Sequence, residues 1–368
     1  MLTGSLDTIK VALGPEIWAG QKVGGISRYF NELALSLTRE KIEIVLIVPN
    51  DYAGHFSLLN YRTFSVKRFR DFRRTIRRLG EDGYIYHSTY YNSRNLRCAR
   101  KYGMPTVVTV FDFISEKYPD PKPRYRQILN EKIESLSLAD RVISISHNTK
   151  KDLLEYSSTR PERVSVIPLA SSFESITSDG DVSKPRSQFI LYVGKRDGYK
   201  NFSTLLHAFA HGSRMRTQLQ LIAFGGGAFT EFEVKEISSL GVAEAVLNVQ
   251  GTDEELRNLY QNAKLFIYPS LYEGFGLPLL EAMSLGCPVL ASNTSSIPEV
   301  CGEAAMYFNP ESSEELYDLL EKTLTNQPLL DQLSQMGYAR SLEFSWEKTA
   351  SLTLEVYNSL HPVNTQAL

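Results

Sequence analysis

Two glutamates that flank a glycine-rich turn are the residues of this chain best suited to chemistry. Glu273 and Glu281 lie eight positions apart in the run YEGFGLPLLEAMSLGCPV, residues 272–289. Gly274 and Gly276 let the backbone turn tightly and approach a ligand, and the proline that follows fits the first turn of a helix. The free amides of such a helix start favour an anion, so the run predicts a diphosphate site. A buried strand, loop and helix with incidental glutamates is the alternative.

Cations that could neutralise a diphosphate follow the predicted strand Phe189–Val193. Arg196 and Lys200 lie in the loop at its carboxyl end, where ligands of parallel sheets gather. Cations close to such a site would neutralise the charge of a bound diphosphate. The loop therefore predicts a phosphate-binding role, with solvated surface cations as the alternative.

Polar residues and glycines at other predicted strand ends extend the candidate site. His87 and Asp112 each end a predicted strand at its carboxyl edge, where they could contact substrate. Gly24 and Gly25 lie between the first predicted strand and a helix, and Gly225 follows another strand. Their backbones could approach a ligand closely. A structural histidine and ordinary turn glycines are the alternatives.

Four further runs complete a recognisable pattern: GGISRY at 24–29, SISHNTKKDL at 144–153, YVGKRDGYKNF at 192–202 and SSIPEV at 295–300. With the glutamate pair, this ordered set covers most of the chain. It resembles the retaining, nucleotide-sugar-dependent glycosyltransferases of family 4, which share the E-x7-E signature. The resemblance implies an α/β fold of the GT-B type, with two doubly wound Rossmann-like domains that face each other across a cleft.

The resemblance also implies roles for individual residues. Glu281 would bind the ribose and Glu273 the sugar hydroxyls, while Lys200 and a second cation bind the diphosphate. Many relatives place an arginine where this chain has Lys195, so either Lys195 or Arg196 takes that role. The predicted catalytic residues are Glu273, Arg196, Lys200, Asp112 and His87, and the predicted donor-binding residues are Gly24, Gly25, Lys195, Gly225, Gly274, Phe275, Gly276, Leu277 and Glu281. Many relatives have His-Asp where this chain has Phe111 and Asp112, so a histidine contact at that strand is in doubt.

The composition describes a water-soluble, two-domain protein. The chain has 368 residues, 42% hydrophobic and 22% charged, which suits two hydrophobic cores. It has no apolar run long enough to span a bilayer and no signal segment, so we expect a cytoplasmic protein. Its three cysteines lack metal-type or paired spacing, and we expect reduced thiols.

Alternating strand and helix patterns predict the domain boundaries. We expect an N-terminal acceptor-side domain over 1–170, a linker over 171–187 and a nucleotide-sugar-binding domain over 188–344. A C-terminal helix within 345–368 is expected to cross back to the first domain. The linker is predicted from a polar run rich in serine and aspartate that shows neither helical nor strand periodicity.

Charge is divided unevenly along the chain. Residues 1–170 hold 27 Lys or Arg against 18 Asp or Glu, a net charge of +9, whereas the remainder holds 13 against 24, a net charge of −11. Seven Lys or Arg and one Asp lie within residues 67–78, where apolar residues recur at helical spacing. This pattern predicts an amphipathic helix, which is either an ordinary surface helix or a contact with an anionic membrane. One such patch does not indicate nucleic-acid binding.

Together these observations predict a glycosyltransferase that moves a hexose from a nucleoside diphosphate to a glycan or lipid-linked glycan in polysaccharide or lipopolysaccharide synthesis. Mannose from GDP-mannose is favoured because YKNF resembles mannosyltransferases of surface-polysaccharide synthesis. We expect no cofactor or metal, since cations replace one at the phosphates, and a cytoplasmic location with a peripheral membrane contact through residues 67–78. A UDP-sugar-dependent transferase, a nucleotide-sugar epimerase, a glycoside hydrolase and a non-catalytic nucleotide-binding module are the alternatives.

Overall fold

The chain divides into two compact units. The computed structural model describes residues 8–21, 24–40, 42–52, 61–119, 123–173, 186–196, 198–212 and 217–360. One unit combines residues 1–169 with residues 345–368, and the other comprises residues 170–344. Most of the predicted linker, residues 174–185, lies outside the described residues.

A parallel sheet of seven described strands forms the centre of the first unit. Its order is β3-β2-β1-β4-β5-β6-β7, and every described pairing is parallel. The inner strands consist largely of buried β-branched residues, as expected for a sheet covered on both faces. The strands are β1 (Lys10–Leu13), β2 (Glu43–Pro49), β3 (Arg62–Val66), β4 (Ile85–Ser88), β5 (Thr106–Val110), β6 (Arg141–Ser144) and β7 (Val164–Val166).

Helices connect these strands, and two of them show how the sequence sets their bounds. The helix predicted next to Gly24 and Gly25 spans Gly25–Arg39, and its apolar residues Phe30, Leu33 and Leu37 are buried. Another begins after Ser146, whose side chain accepts a hydrogen bond from the N–H of Thr149 as an N-cap. The described helices are α1 (Glu16–Gly20), α2 (Gly25–Arg39), α3 (Phe69–Glu81), α4 (Ser93–Lys101), α5 (Ile114–Lys117), α6 (Pro123–Leu138) and α7 (His147–Tyr156).

The last helix of the chain, α15 (Trp346–Asn358), packs in the first unit. It contacts α2, where the rings of Trp346 and Tyr29 lie 6.0 Å apart between centroids. The hydroxyl of Tyr357 lies 2.7 Å from Nδ1 of His87, at the end of β4. The helix therefore completes the core of the first unit.

The second unit is built on another parallel sheet, of six described strands. Its order is β10-β9-β8-β11-β12-β13. The strands are β8 (Phe189–Val193), β9 (Gln220–Phe224), β10 (Val246–Val249), β11 (Leu265–Tyr268), β12 (Val289–Ser292) and β13 (Met306–Phe308). The helices are α8 (Phe202–His211), α9 (Glu231–Ser239), α10 (Asp253–Asn262), α11 (Leu277–Ser284), α12 (Ile297–Cys301), α13 (Ser313–Leu324) and α14 (Gln327–Ser341).

Both sheets reverse the direction of winding near their middle. The reversal lies between β1 and β4 in the first unit and between β8 and β11 in the second. Ligands of doubly wound sheets bind at such switch points, outside the carboxyl ends of the strands. The loop after β8 and the turn after β11 are the two segments that carry Lys200 and Glu273.

The cysteines and the helices of the chain show two further features. Cys98, Cys287 and Cys301 are buried free thiols, as expected. Among the described residues, no helix is both long and apolar enough to cross a membrane.

Candidate functional site

The loop after β8 and the turn after β11 are held together by backbone and side-chain hydrogen bonds. The N–H of Leu271 donates to the carbonyl of Tyr199 at 2.7 Å. Asn201 has a left-handed backbone with φ of +56°, and its amide donates to the carbonyls of Pro269 and Pro310. The two segments therefore form one rigid edge, which fixes Lys200 relative to the turn.

At this edge Lys200 and Glu273 form an ion pair. The ammonium of Lys200 lies 2.7 Å from Oε1 of Glu273, and the two side chains are 17% and 9% exposed. The ring of Tyr268 lies below the pair, 5.6 Å from the ammonium. Burial and the Glu273 carboxylate raise the pKa of Tyr268 well above its usual value, which keeps the phenol neutral. The structure thus brings two predicted catalytic residues together: a cation that could bind a phosphate and a carboxylate that could accept hydrogen bonds from hydroxyls.

The glycine-rich turn next to this pair presents unpaired backbone donors. Gly276 is the N-cap of α11, with φ of +111°, and a Cβ there would approach the side chain of Leu279 to 2.8 Å. Among the residues that the structure describes, none accepts a hydrogen bond from the N–H of Phe275, Gly276 or Leu277. The ring of Phe275 is buried, so its amide is the group that remains for a ligand. These donors at a helix start can bind an anion.

Glu281 lies one turn into α11 and is oriented by a residue that the sequence did not single out. Its side chain is 7% exposed, and Oε2 accepts a hydrogen bond from the hydroxyl of Tyr260 at 3.2 Å. Tyr260 belongs to α10 and is fully buried. One face of the carboxylate is therefore anchored by the protein, which prepares it to accept hydrogen bonds from a diol.

In the structure, the guanidinium of Arg196 is bound by groups of the protein. Its Nε lies 2.7 Å from Oε1 of Glu233, in a pair whose side chains are 3% and 13% exposed. Its terminal nitrogens donate to the carbonyls of Gly225, Gly227 and Ala228 at 2.6, 3.0 and 2.9 Å. Arg196 thus holds the glycine loop after β9, and its binding of the diphosphate stays a prediction.

That glycine loop has a backbone that only glycine adopts easily. Gly225, Gly226 and Gly227 have φ of +87°, +72° and +77°. Their left-handed conformation directs carbonyls towards Arg196 and towards the amide of Gln250, which donates to Gly225 and Gly227. Gly225 was predicted to approach the nucleotide; the described contacts show its carbonyl bound to protein donors.

Lys195 is the exposed cation of the same loop. It lines a cavity of about 600 Å³ together with Arg196, Ser203, Gly226, Thr230, Phe232 and other residues of α8 and α9. Neither Glu273 nor Glu281 lines this cavity. Lys195 remains the candidate for the second diphosphate cation, because its ammonium forms no ion pair with any described residue.

In the first unit, His87 is a structural residue. It is fully buried, and its ring nitrogens lie 2.7 Å from the hydroxyl of Tyr357 and 2.9 Å from Oγ1 of Thr109. Burial lowers the pKa of His87 to about 3, so the imidazole is neutral at physiological pH. Because both nitrogens are bound and no atom is exposed, the predicted catalytic role of His87 is corrected.

Asp112 follows β5, and its Oδ1 accepts a hydrogen bond from the N–H of Ile114 at 3.1 Å. Its carbonyl accepts from Lys132, which also pairs with Glu116 at 2.8 Å in a nearly fully buried contact. Asp112 itself is partly exposed. Its predicted contact with sugar or acceptor remains a prediction.

The first residue of α1 is a half-buried carboxylate that the sequence did not reveal. Glu16 accepts hydrogen bonds from the N–H of Thr89, the amide of Asn95 and the hydroxyl of Tyr86. Burial raises the pKa of Glu16 against the opposing effect of these donors. Gly24 is the N-cap of α2 and Gly25 its first residue, and their approach to a ligand also remains a prediction.

Models of two glycosyltransferase families match this chain. The model for Glycosyltransferase Family 4 matches residues 23–170, and the model for Glycosyl transferases group 1 matches residues 177–340. The chain therefore belongs to the glycosyltransferases that these two models describe, and it is an enzyme of that class with the GT-B fold.

Two mannosyltransferases and one solved structure are similar to this chain. The O-antigen chain mannosyltransferase B of Escherichia coli is 30% identical over 293 residues, which cover 75% of this chain and 74% of that protein. The serotype-specific mannosyltransferase WbdA of Escherichia coli is 32% identical over 255 residues, but the match spans only 31% of its length. Among solved structures, HepE of Anabaena in complex with UDP has a TM-score of 0.76 at 18% identity, with 95% of this chain and 100% of that chain covered.

Proposed function

We propose that this glycosyltransferase moves mannose from GDP-mannose, with retention of anomeric configuration, to a glycan or lipid-linked glycan of a surface polysaccharide. The observation that carries the proposal is the Lys200–Glu273 pair beside three backbone amides that donate to no residue the structure describes. This arrangement supplies positive charge for a diphosphate and a carboxylate for sugar hydroxyls. The names of the mannosyltransferase relatives support the choice of mannose.

The proposed reaction needs no protein nucleophile. The bond between the anomeric carbon and the diphosphate oxygen breaks while the acceptor hydroxyl attacks on the same face, through an oxocarbenium-like state. A phosphate oxygen takes the acceptor proton, so the acceptor oxygen is neutral in the product. Lys200 and the amides of the turn stabilise the leaving diphosphate, and Glu273 holds the sugar. Cations and amides supply the positive charge, and the proposal includes no metal.

The test combines calorimetry with donor turnover. We expect GDP to bind more tightly than UDP and GDP-mannose to be consumed only when an acceptor is present. Glu273→Ala should lower turnover far more than it weakens GDP binding, whereas Glu314→Ala, which removes an exposed glutamate of α13, should change neither. Near-normal transfer by Glu273→Ala would reject the role of that residue.

A UDP-sugar donor is the second candidate, because the structurally similar HepE was solved with UDP. Tighter binding of UDP than of GDP would favour it. Isomerisation of the donor without acceptor would indicate an epimerase, and consumption of oligosaccharides instead of nucleotide sugars would indicate a hydrolase.

We also propose that the first unit binds anionic membrane through a basic surface on α3 and α4. In α3 the apolar stripe of Phe72, Ile76 and Leu79 is buried, as predicted. Arg94 of α4 packs over the ring of Phe69 at 3.6 Å. The basic surface consists of the exposed residues Lys67, Arg68, Arg70, Arg73, Arg74, Arg77, Arg78, Arg94, Arg97, Arg100 and Lys101.

Three cations of the basic surface are neutralised by ion pairs within the protein. Arg77, Arg97 and Arg100 pair with Glu81, Glu134 and Asp140. The other eight form no ion pair with any described residue. Each cation near an anionic membrane contributes about 1 kcal/mol, so this number is sufficient for reversible binding.

Vesicle flotation tests the membrane proposal. We expect the protein to float with vesicles that contain phosphatidylglycerol and not with phosphatidylcholine alone, and to be released by salt. Replacing Arg70, Arg73 and Arg74 by glutamine should weaken binding by about 3 kcal/mol, or roughly 100-fold. The same replacement at Lys151, Lys235 and Lys322, which are exposed, lie outside the basic surface and form no ion pair with any described residue, is the matched control. Binding that ignores both lipid charge and salt would contradict the proposal.

A further inference from the structure

A row of hydroxyl side chains runs along the turn that carries Glu273. It starts in the last residue of β12 and continues into the loop before α12, within the sequence SNTSS. We call this set the hydroxyl strip: Ser292, Thr294, Ser295 and Ser296. The turn follows β11 in the chain, whereas the hydroxyl strip begins at the end of β12. Because β11 and β12 are neighbours in the sheet, the segments that follow them lie side by side.

The hydroxyl strip satisfies the backbone of the turn at successive positions. Ser292 donates to the carbonyl of Tyr268 at 3.2 Å, and Thr294 donates to the carbonyl of Leu271 at 3.1 Å. The hydroxyl of Ser296 lies 2.9 Å from the carbonyls of Glu273 and Phe275. Ser295 acts in the opposite sense, because its Oγ accepts a hydrogen bond from the N–H of Glu273 at 2.9 Å.

These bonds replace those that regular secondary structure would supply. The turn between β11 and α11 is irregular and rich in glycine, so its own sequence does little to fix its conformation. Ser292 and Ser296 are fully buried and Glu273 is 7% exposed. Glu273 itself is held on both sides of its Cα, by Ser295 at its N–H and by Ser296 at its carbonyl. Its side chain is therefore directed from a fixed backbone.

The backbone of Ser295 has a conformation that is unusual for a residue other than glycine. Its φ of +53° lies in the left-handed region, where glycine is favoured and a serine is strained. Glycine would relieve the strain but could not accept the hydrogen bond from Glu273. A strained residue that contacts a candidate catalytic residue is characteristic of functional sites.

We propose that Ser295 and Ser296 are positioning residues that set the location of the Glu273 carboxylate for sugar transfer. They act through the turn and do not touch the substrate. The inference rests on the proposed function, in which Glu273 holds the donor sugar. It predicts that stability and turnover respond differently to substitution at Ser295.

Ser295→Gly and Ser295→Ala provide the test. Both remove the acceptor, but only glycine relieves the left-handed strain, so Ser295→Gly should melt at a higher temperature than Ser295→Ala and within a few degrees of wild type. Both should nevertheless reduce kcat by about tenfold or more, because small displacements of a catalytic group are costly. GDP affinity, measured by calorimetry, should stay within about twofold of wild type.

Ser312→Ala is the matched control. Ser312 also accepts a backbone N–H with its Oγ, that of Glu315 at the start of α13. Its loss should lower stability, as expected for an N-cap, and leave kcat unchanged.

The outcomes separate this inference from the proposed function. Wild-type protein that turns over no nucleotide sugar would reject the proposed function. Active wild type, with Ser295→Gly turning over at the same rate, would reject the positioning role and leave the proposed function intact. Loss of kcat in proportion to loss of melting temperature across all three variants would also reject it, since a purely structural role predicts that correlation.

Discussion

Lys195 and Arg196 are adjacent cations in the loop after β8, but replacing each by alanine should affect a different property of the protein. Arg196 is enclosed, with an ion pair to Glu233 and hydrogen bonds to three carbonyls of the glycine loop. Lys195 is exposed and lines the neighbouring cavity. Arg196→Ala should therefore lower stability, and Lys195→Ala should lower diphosphate binding and turnover.

The size of each effect follows from burial. Removing one partner of a buried ion pair costs about 3–5 kcal/mol, because the other charge and its neighbouring carbonyls are left without a partner. For a unit of residues 170–344, that loss lowers the melting temperature by roughly 10 °C. Replacing an exposed lysine changes stability by less than about 0.5 kcal/mol. If Lys195 binds the diphosphate, losing a charged hydrogen bond of about 1.5–3 kcal/mol lowers kcat/KM by roughly 10- to 100-fold.

Thermal melts, calorimetric titration with GDP and initial rates with GDP-mannose would measure these effects. Arg196→Lys is a useful third protein, since lysine keeps the charge but cannot donate to several carbonyls in a planar fork. It should recover only part of the stability. An Arg196→Ala protein that melts with the wild type but no longer binds GDP would refute the reasoning, because Arg196 would then be the diphosphate ligand.

Three further predictions concern groups with defined partners. The pKa of His87 is lowered from 6.5 to about 3, so between these pH values the unfolded chain binds a proton that the folded chain excludes. The contribution of His87 to the free energy of unfolding should therefore fall by about 1.4 kcal/mol per pH unit from pH 6 to pH 4. Urea titrations should show a shallower pH dependence for His87→Gln, and an equal slope would count against a neutral buried imidazole. Tyr260→Phe removes the hydrogen bond to Glu281 and should raise the Kd for GDP about fivefold with kcat little changed; unaltered affinity would argue against Glu281 as a nucleotide ligand. At Glu233, burial raises the pKa, but hydrogen bonds from Thr230 and Arg196 outweigh this effect and leave the pKa below 4.5. Glu233→Gln should therefore be less stable than wild type at pH 7. The difference in stability should narrow as the pH falls below 4.5, and thermal melts at several pH values would check this.

The inner strands are short runs of largely buried, apolar residues, which is the signal that predicted the strand Phe189–Val193. The strands β3, β10 and β13, which lie at sheet edges, show less of this signal. Their residues are only partly buried, with polar residues such as Arg62, Ser65 and Asn248 among them. An edge strand has one neighbour and is less enclosed, so its sequence carries less of the apolar signal on which strand prediction depends.

Within the site, spacing predicted the glutamate pair and Lys200 but not how the remaining groups are used. Sequence order does not show which of two adjacent cations faces the glycine loop, so the contacts of Arg196 with that loop could not be predicted. His87 was predicted from its position at a strand end, but its partner Tyr357 lies 270 residues away. The hydroxyl strip contains residues that are common in any loop, and only the pairing of β11 with β12 brings it to the turn.

Tyr357 and the rest of α15 pack in the first unit. The second unit, residues 170–344, is therefore an insertion in the sequence of the first unit. A fragment of residues 1–169 alone would expose the face of α2 that α15 covers and would leave Nδ1 of His87 without its partner. Chimeras between members of the family should therefore exchange residues 170–344 as a cassette with two junctions. A hybrid with a single crossover point would combine α15 of one parent with α2 of the other, and its folding would depend on how well those two surfaces match.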